Sequence, residues 1–104
     1  MSSPLRSTFA DDPTMADLLE IYGTALGVHV HKLRTHIAKN DAEEIRRELH
    51  QLKGSGKSFG YPAITENAAA VEASLRAGST VMAVRTELEG LTGLLESVEH
   101  YRAV

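Results

Sequence analysis

The chain has no cysteine, which excludes a disulfide framework, a thiolate-bound zinc and a cysteine nucleophile. It has no run of about 18 apolar residues to span a bilayer, and Met1-Ser2-Ser3-Pro4-Leu5-Arg6-Ser7 lacks the apolar core of roughly 7 to 15 residues that a secretory signal needs. Neither export nor membrane insertion is indicated, and the cytoplasm fits best. The full phosphate-loop pattern, glycine and four residues before Gly-Lys and a hydroxyl residue, does not occur, so no nucleotide site of its own is indicated. Basic residues are not in excess: eleven Lys and Arg against fourteen Asp and Glu give a formal charge of −3. That balance argues against a nucleic-acid binder relying on phosphate neutralisation and leaves room only for a local basic patch. No segment alternates β-branched residues with period two, so no strand is required.

What is present fits one small domain. The 104 residues allow a single core, and 42% hydrophobic and 24% charged residues with three prolines are the balance of a folded soluble protein. Asp12 can cap a first helix with Pro13 at its first position, and Met15, Leu19, Tyr22, Leu26, Leu33 and Ile37 form its apolar stripe. Asp41 caps a second, with Glu44 three residues on as in a capping box and Ile45, Leu49, Leu52 and Phe59 facing inward. Gly60 and Pro62 end it. Pro62 also opens a third, with Ile64, Ala68, Val71 and Leu75 inward and Gly78 as its left-handed stop. Ser79 is the expected cap of a fourth, whose seam is Val81, Val84, Leu88, Leu91, Leu95 and Val98. Links of a few residues force sequential helices antiparallel, so the expectation is an all-α, up-down-up-down four-helix bundle over residues 12–104. Residues 1–11 are a leader; whether it folds as a short extra helix over one bundle end is left open.

The second helix breaks its own pattern. Lys53-Gly54-Ser55-Gly56-Lys57 places two glycines inside it, at a cost of roughly 1 kcal/mol each relative to alanine. At about 100° per residue from Ile45, His50 falls about 140° away, Arg46, Lys53 and Lys57 between about 80° and 120°, and Gly54 near 180°. His50 therefore points outward beside a basic edge, and Gly54 leaves a depression where another backbone can approach. Gln51, at about 240°, leans off this face, and Ser55 sits at the edge of the buried stripe. An exposed imidazole is substantially neutral at pH 7, so one ring nitrogen offers a lone pair to a phosphoryl group. Lys53 and Lys57 would offset the added negative charge, with Arg46 adding to the same field. No carboxylate cluster on this face holds Mg²⁺, so a partner would supply it.

His50-Gln51-Leu52-Lys53-Gly54-Ser55-Gly56, followed by Phe59-Gly60, resembles the signature of histidine phosphotransfer (HPt) domains, and the order of four helices extends the resemblance over about residues 12 to 101. The resemblance implies that His50 takes a phosphoryl group, through Nε2, from a receiver-domain aspartate and returns it to another. It also implies that Lys53 and Lys57 steady the group, that Gly54 clears space for the receiver, and that the receiver holds Mg²⁺. Arg46 and Gln51 join Gly54 as expected docking positions. The implied partners are a response-regulator receiver domain and a hybrid histidine kinase, with the chain a monomeric phosphocarrier that binds neither ATP, nucleic acid nor membrane. Two rivals stand beside it. One is a helical adaptor that docks an acidic surface through the basic face without chemistry. The other is the dimerisation hairpin of a histidine kinase, whose usual acidic residue after the histidine and proline at plus five are here Gln51 and Ser55. His29, His31 and His36 do not form a metal site by spacing: the first two project about 200° apart and His36 lies about 10 Å from His29.

Overall fold

A computed structural model describes residues 4–104. Four helices form it: α1 (Ala16–Ala38), α2 (Ala42–Gly56), α3 (Pro62–Arg76) and α4 (Arg85–Glu96). Each neighbours the next in sequence and α4 closes against α1, with α2 and α3 making the most extensive contact. The pairing is antiparallel: Tyr22 of α1 hydrogen-bonds Ser55 of α2 at 2.8 Å, and seven residues further along α1 His29 meets Glu48, seven residues earlier on α2. The stripes expected from sequence meet in one core, with Leu19, Leu26, Leu33, Ile45, Leu49, Leu52, Ile64, Ala68, Leu88, Leu91 and Leu95 almost wholly buried.

The caps explain where the helices begin. Asp12 accepts the Thr14 N–H at 2.9 Å and opens a 3-10 turn, Pro13–Met15, that runs into α1. Asp41 accepts the Glu44 N–H at 3.2 Å, but the return half of a capping box is not made, because Glu44 pairs with Arg47 at 3.1 Å. Gly60 (φ 84°) and Gly78 (φ 105°) hold the left-handed turns after α2 and α3. Ser79, expected as the cap of the fourth helix, does not cap it: its N–H closes back on Ser74, and α4 has no side-chain cap, while the Thr80 hydroxyl accepts the Ala83 N–H at 3.1 Å in the approach to the helix. A 3-10 turn, Met82–Val84, then precedes α4.

The leader forms no extra helix over the residues described; residues 1–3 lie outside them. Too poor in apolar groups to bury a helix face, it satisfies its backbone on the bundle instead. The Leu5 N–H donates to the Ser97 carbonyl at 2.7 Å and the Leu5 carbonyl accepts from Glu99 at 2.9 Å. Ser7 Oγ donates to the Phe59 carbonyl at 2.5 Å, and the Thr8 N–H to the Gly60 carbonyl at 2.9 Å. The C-terminal segment crosses α1 where Gly23 and Gly27 present bare backbone: a Cβ at either would run into the carbonyl of His100 or Arg102. The two chain ends thus tie α1, α4 and the α2–α3 turn together.

Candidate functional site

Burial of Ile45, Leu49 and Leu52 fixes the rotation of α2, and the opposite side of the helix faces solvent beside α3. His50 stands there with its side chain 68% exposed, its Nδ1 3.1 Å from Glu72 Oε2 on α3. Glu72 is nearly buried, its side chain 5% exposed, and is shared among three groups. Lys53 Nζ donates to Oε1 at 2.5 Å, and Arg76, one turn further along α3, lies 3.3 Å from Oε2. Burial alone would push the Glu72 carboxyl up; the Lys53 hydrogen bond and charge, the Arg76 charge and the His50 hydrogen bond outweigh it and hold the group below its usual 4.5.

The state of the ring follows. An ionised carboxylate can only accept, so the His50 nitrogen facing it, Nδ1, carries the proton and donates. Nε2 has no protein hydrogen bond among the described residues. The arrangement turns Nε2 away from the carboxylate while Glu72 engages Nδ1 from behind.

The other expected positions divide. Arg46 is exposed and, with Glu43, Arg47, Glu72 and Arg76, lines a shallow concavity of about 300 Å³ beside the ring. Lys57 is exposed just past the end of α2, its N–H donating at 2.7 Å to Thr65 Oγ1, which donates in turn to the Lys53 carbonyl at 3.0 Å. Lys53 is close to His50 as expected, but its amine is held on Glu72 rather than standing free. Gln51 lines the groove between α1 and α2, on the other flank from His50. Ser55 is occupied by Tyr22, and Phe59 stacks on Tyr22 with centroids 4.3 Å apart, so both serve packing.

The two glycines of α2 separate cleanly. A Cβ on Gly56 would sit 2.9 Å from Ile64 and Thr65, so close approach of α3 requires it. A Cβ on Gly54 would meet nothing within 4 Å, so packing within this chain gives no reason for the residue.

Sequence reasoning missed Glu72. The face is not without a carboxylate, because α3 contributes one, and its signal was available: Glu72 follows Ala68 by four and Val71 by one, an acidic residue on an inward stripe. Glu72 is fully engaged, and among the described residues no group of three His, Asp or Glu side chains could hold a metal ion. No helix among them is long and apolar enough to cross a membrane.

No curated protein and no solved structure gives a significant match to this chain. The family model of the Hpt domain matches residues 17–101, a span that runs from the first turn of α1 past the end of α4 and includes His50, Lys53 and Glu72. With four helices closed into one bundle and most of its length matched, the chain belongs to the Hpt domain family.

Proposed function

We propose that the protein is a phosphorelay carrier in which His50 Nε2 accepts a phosphoryl group from a receiver-domain aspartate and passes it to another. Hpt domains carry out histidine phosphotransfer in phosphorelays and interact there with receiver domains and kinases. The observation that carries the assignment to His50 is its Nδ1 hydrogen bond to buried Glu72, which leaves the exposed Nε2 as the nucleophile. In the transfer Nε2 bonds to phosphorus as the P–O bond of the aspartyl phosphate breaks and its electron pair leaves on the aspartate carboxylate.

Charge and space support the same reading. Lys53 and Arg76 lie on the carboxylate next to the ring, a short reorientation from an incoming phosphoryl group, and exposed Lys57 stands one turn along α2 from Lys53. Each exposed cation contributes of order 1 kcal/mol or less. Phosphoryl transfer depends mainly on positioning and charge neutralisation, with a metal ion bridging phosphoryl oxygens. The site residues do not make a Mg²⁺ site, so the receiver brings that ion. Gly54 opens the helix surface to the receiver backbone, and Arg46 and Gln51 flank the docking area on either side. Every group comes from one chain, so a single copy suffices, and a hybrid histidine kinase with a cytoplasmic receiver is the natural upstream partner.

The test is incubation with a phosphorylated receiver. An acid-labile, base-stable label is expected on the wild type and absent from His50→Gln. An unlabelled wild type whose receiver binding is unchanged by His50→Gln would support the adaptor reading instead.

A further inference from the structure

We propose that Thr65 is a positioning residue: from α3 its hydroxyl pins the last turn of α2 and so holds Lys57 on the face of the helix that carries His50. This rests on His50 being the phosphoacceptor and on Lys57 serving the phosphoryl group. Thr65 Oγ1 accepts the Lys57 N–H at 2.7 Å and donates to the Lys53 carbonyl at 3.0 Å. Those are the two backbone groups, four residues apart, that form the final rung of the helix. Past that rung the chain tightens into the 3-10 turn Lys57–Phe59, so Lys57 stands where α2 stops. Seven residues of α-helix, just under two turns, bring Lys57 back to within about 20° of His50. A frayed last turn would carry it off that face.

The turn needs a tie from outside because of what it is made of. Between the two lysines lie Gly54, Ser55 and Gly56, and glycine twice in three residues weakens this stretch of α2. None of the three shores it up: Gly54 faces open space, Ser55 is bonded to Tyr22, and Gly56 is bare so that α3 can approach. Ser58 Oγ adds only a long bond, 3.4 Å, to the Gly54 carbonyl. A Cβ on Gly56 would sit 2.9 Å from Thr65 N and Oγ1, so the glycine that weakens the turn is also what admits the hydroxyl to the rung. The donor and acceptor come from a helix already packed along α2, and the β-branched side chain has little rotamer freedom left to lose. The main chain that carries the lysine is thus set before the phosphoryl group arrives, and transfer by positioning and charge draws on that.

The experiment is a double-mutant cycle on the rate of phosphoryl transfer from a phosphorylated receiver, followed by rapid quench. Lys57→Ala and Thr65→Val, which keeps the branched shape and loses the hydroxyl, are each expected to slow transfer by roughly twofold to fivefold, the range an exposed cation commands. Thr65→Ser, which keeps the hydroxyl, should restore the wild-type rate, and in the Lys57→Ala chain Thr65→Val should slow nothing further. A wild-type rate in either Lys57→Ala or Thr65→Val overturns the proposal. Slowing by the same factor in both backgrounds, or a Thr65→Ser chain as slow as Thr65→Val, overturns it too, because Thr65 would then only support the fold. Should Thr65→Val not fold, the wild type suffices. In native-state hydrogen exchange its Lys57 amide should be protected as strongly as those in the middle of α2, and exchange at the rate of an unfolded chain would overturn the proposal. If wild type takes no label on His50, the phosphoacceptor reading itself fails, whereas a labelled wild type indifferent to Thr65→Val removes only the role of Thr65.

Discussion

The same pair of side chains occurs twice in this bundle, in two settings. Between α1 and α2, Glu48 bonds His29 Nδ1 at 3.2 Å; between α2 and α3, Glu72 bonds His50 Nδ1 at 3.1 Å. Both carboxylates are buried, with side chains 6% and 5% exposed. The imidazoles differ: His29 is 16% exposed and His50 68%. The carboxylates differ as well, since Glu72 also holds Lys53 and Arg76 and Glu48 has no second ion-pair partner among the described residues. A buried acid and an imidazole are therefore not in themselves a reactive site. In the proposed reading, what would set His50 apart from His29 is its exposed ring and the cations gathered on its carboxylate.

Exchanging one histidine for glutamine should break the comparison most sharply. His50→Gln is expected to reduce labelling by a phosphorylated receiver to background, while His29→Gln keeps it; autoradiography of the two variants side by side decides. Stability should respond in the opposite order. His29→Ala leaves buried Glu48 unsatisfied and should cost about 1 to 3 kcal/mol in urea unfolding. His50→Ala should cost less, because Glu72 keeps two cations.

Smaller effects sharpen the picture around His50 alone. Lys53→Ala should slow transfer about fivefold, the equivalent of roughly 1 kcal/mol, as measured in rapid-quench time courses. Gly54→Gln should leave the helix intact or steadier by up to about 1 kcal/mol in thermal melts yet slow transfer, because the new side chain fills space that only a partner uses. Unchanged kinetics in that variant would remove the docking role of the gap. The smallest effect is on acid stability. Glu72 is held below its usual 4.5, so its contribution is complete above that pH and disappears as the pH falls through its lowered value. Urea titrations of Glu72→Gln below pH 4.5 should lack that decline.

The division between what was legible in the sequence and what was not follows from helix geometry. Periodicity placed Ile45, Leu49 and Leu52 inward and so turned His50 out, and glycines at 60 and 78 marked the stops, because these features belong to single helices. Glu72, Glu48 and the tail over Gly23 and Gly27 depend on how one helix is rotated against another or on where a chain end lies, and a helical wheel contains neither. Lys53 shows both limits at once: its face was readable three residues from His50, but the carboxylate that holds its amine comes from 19 residues away. The leader stayed open for a related reason, since the backbone partners that fix it on the bundle are at Ser97, Phe59 and Gly60, far away in sequence.

The most direct test is phosphorus-31 and nitrogen-15 NMR of the isotopically labelled protein after incubation with a phosphorylated receiver and Mg²⁺. A single phosphorus resonance coupled to Nε2 of His50, with the proton still on Nδ1, is the predicted result. Coupling to Nδ1, or a phosphoryl group on His29, His31 or His36 while His50 remains unmodified, would contradict it.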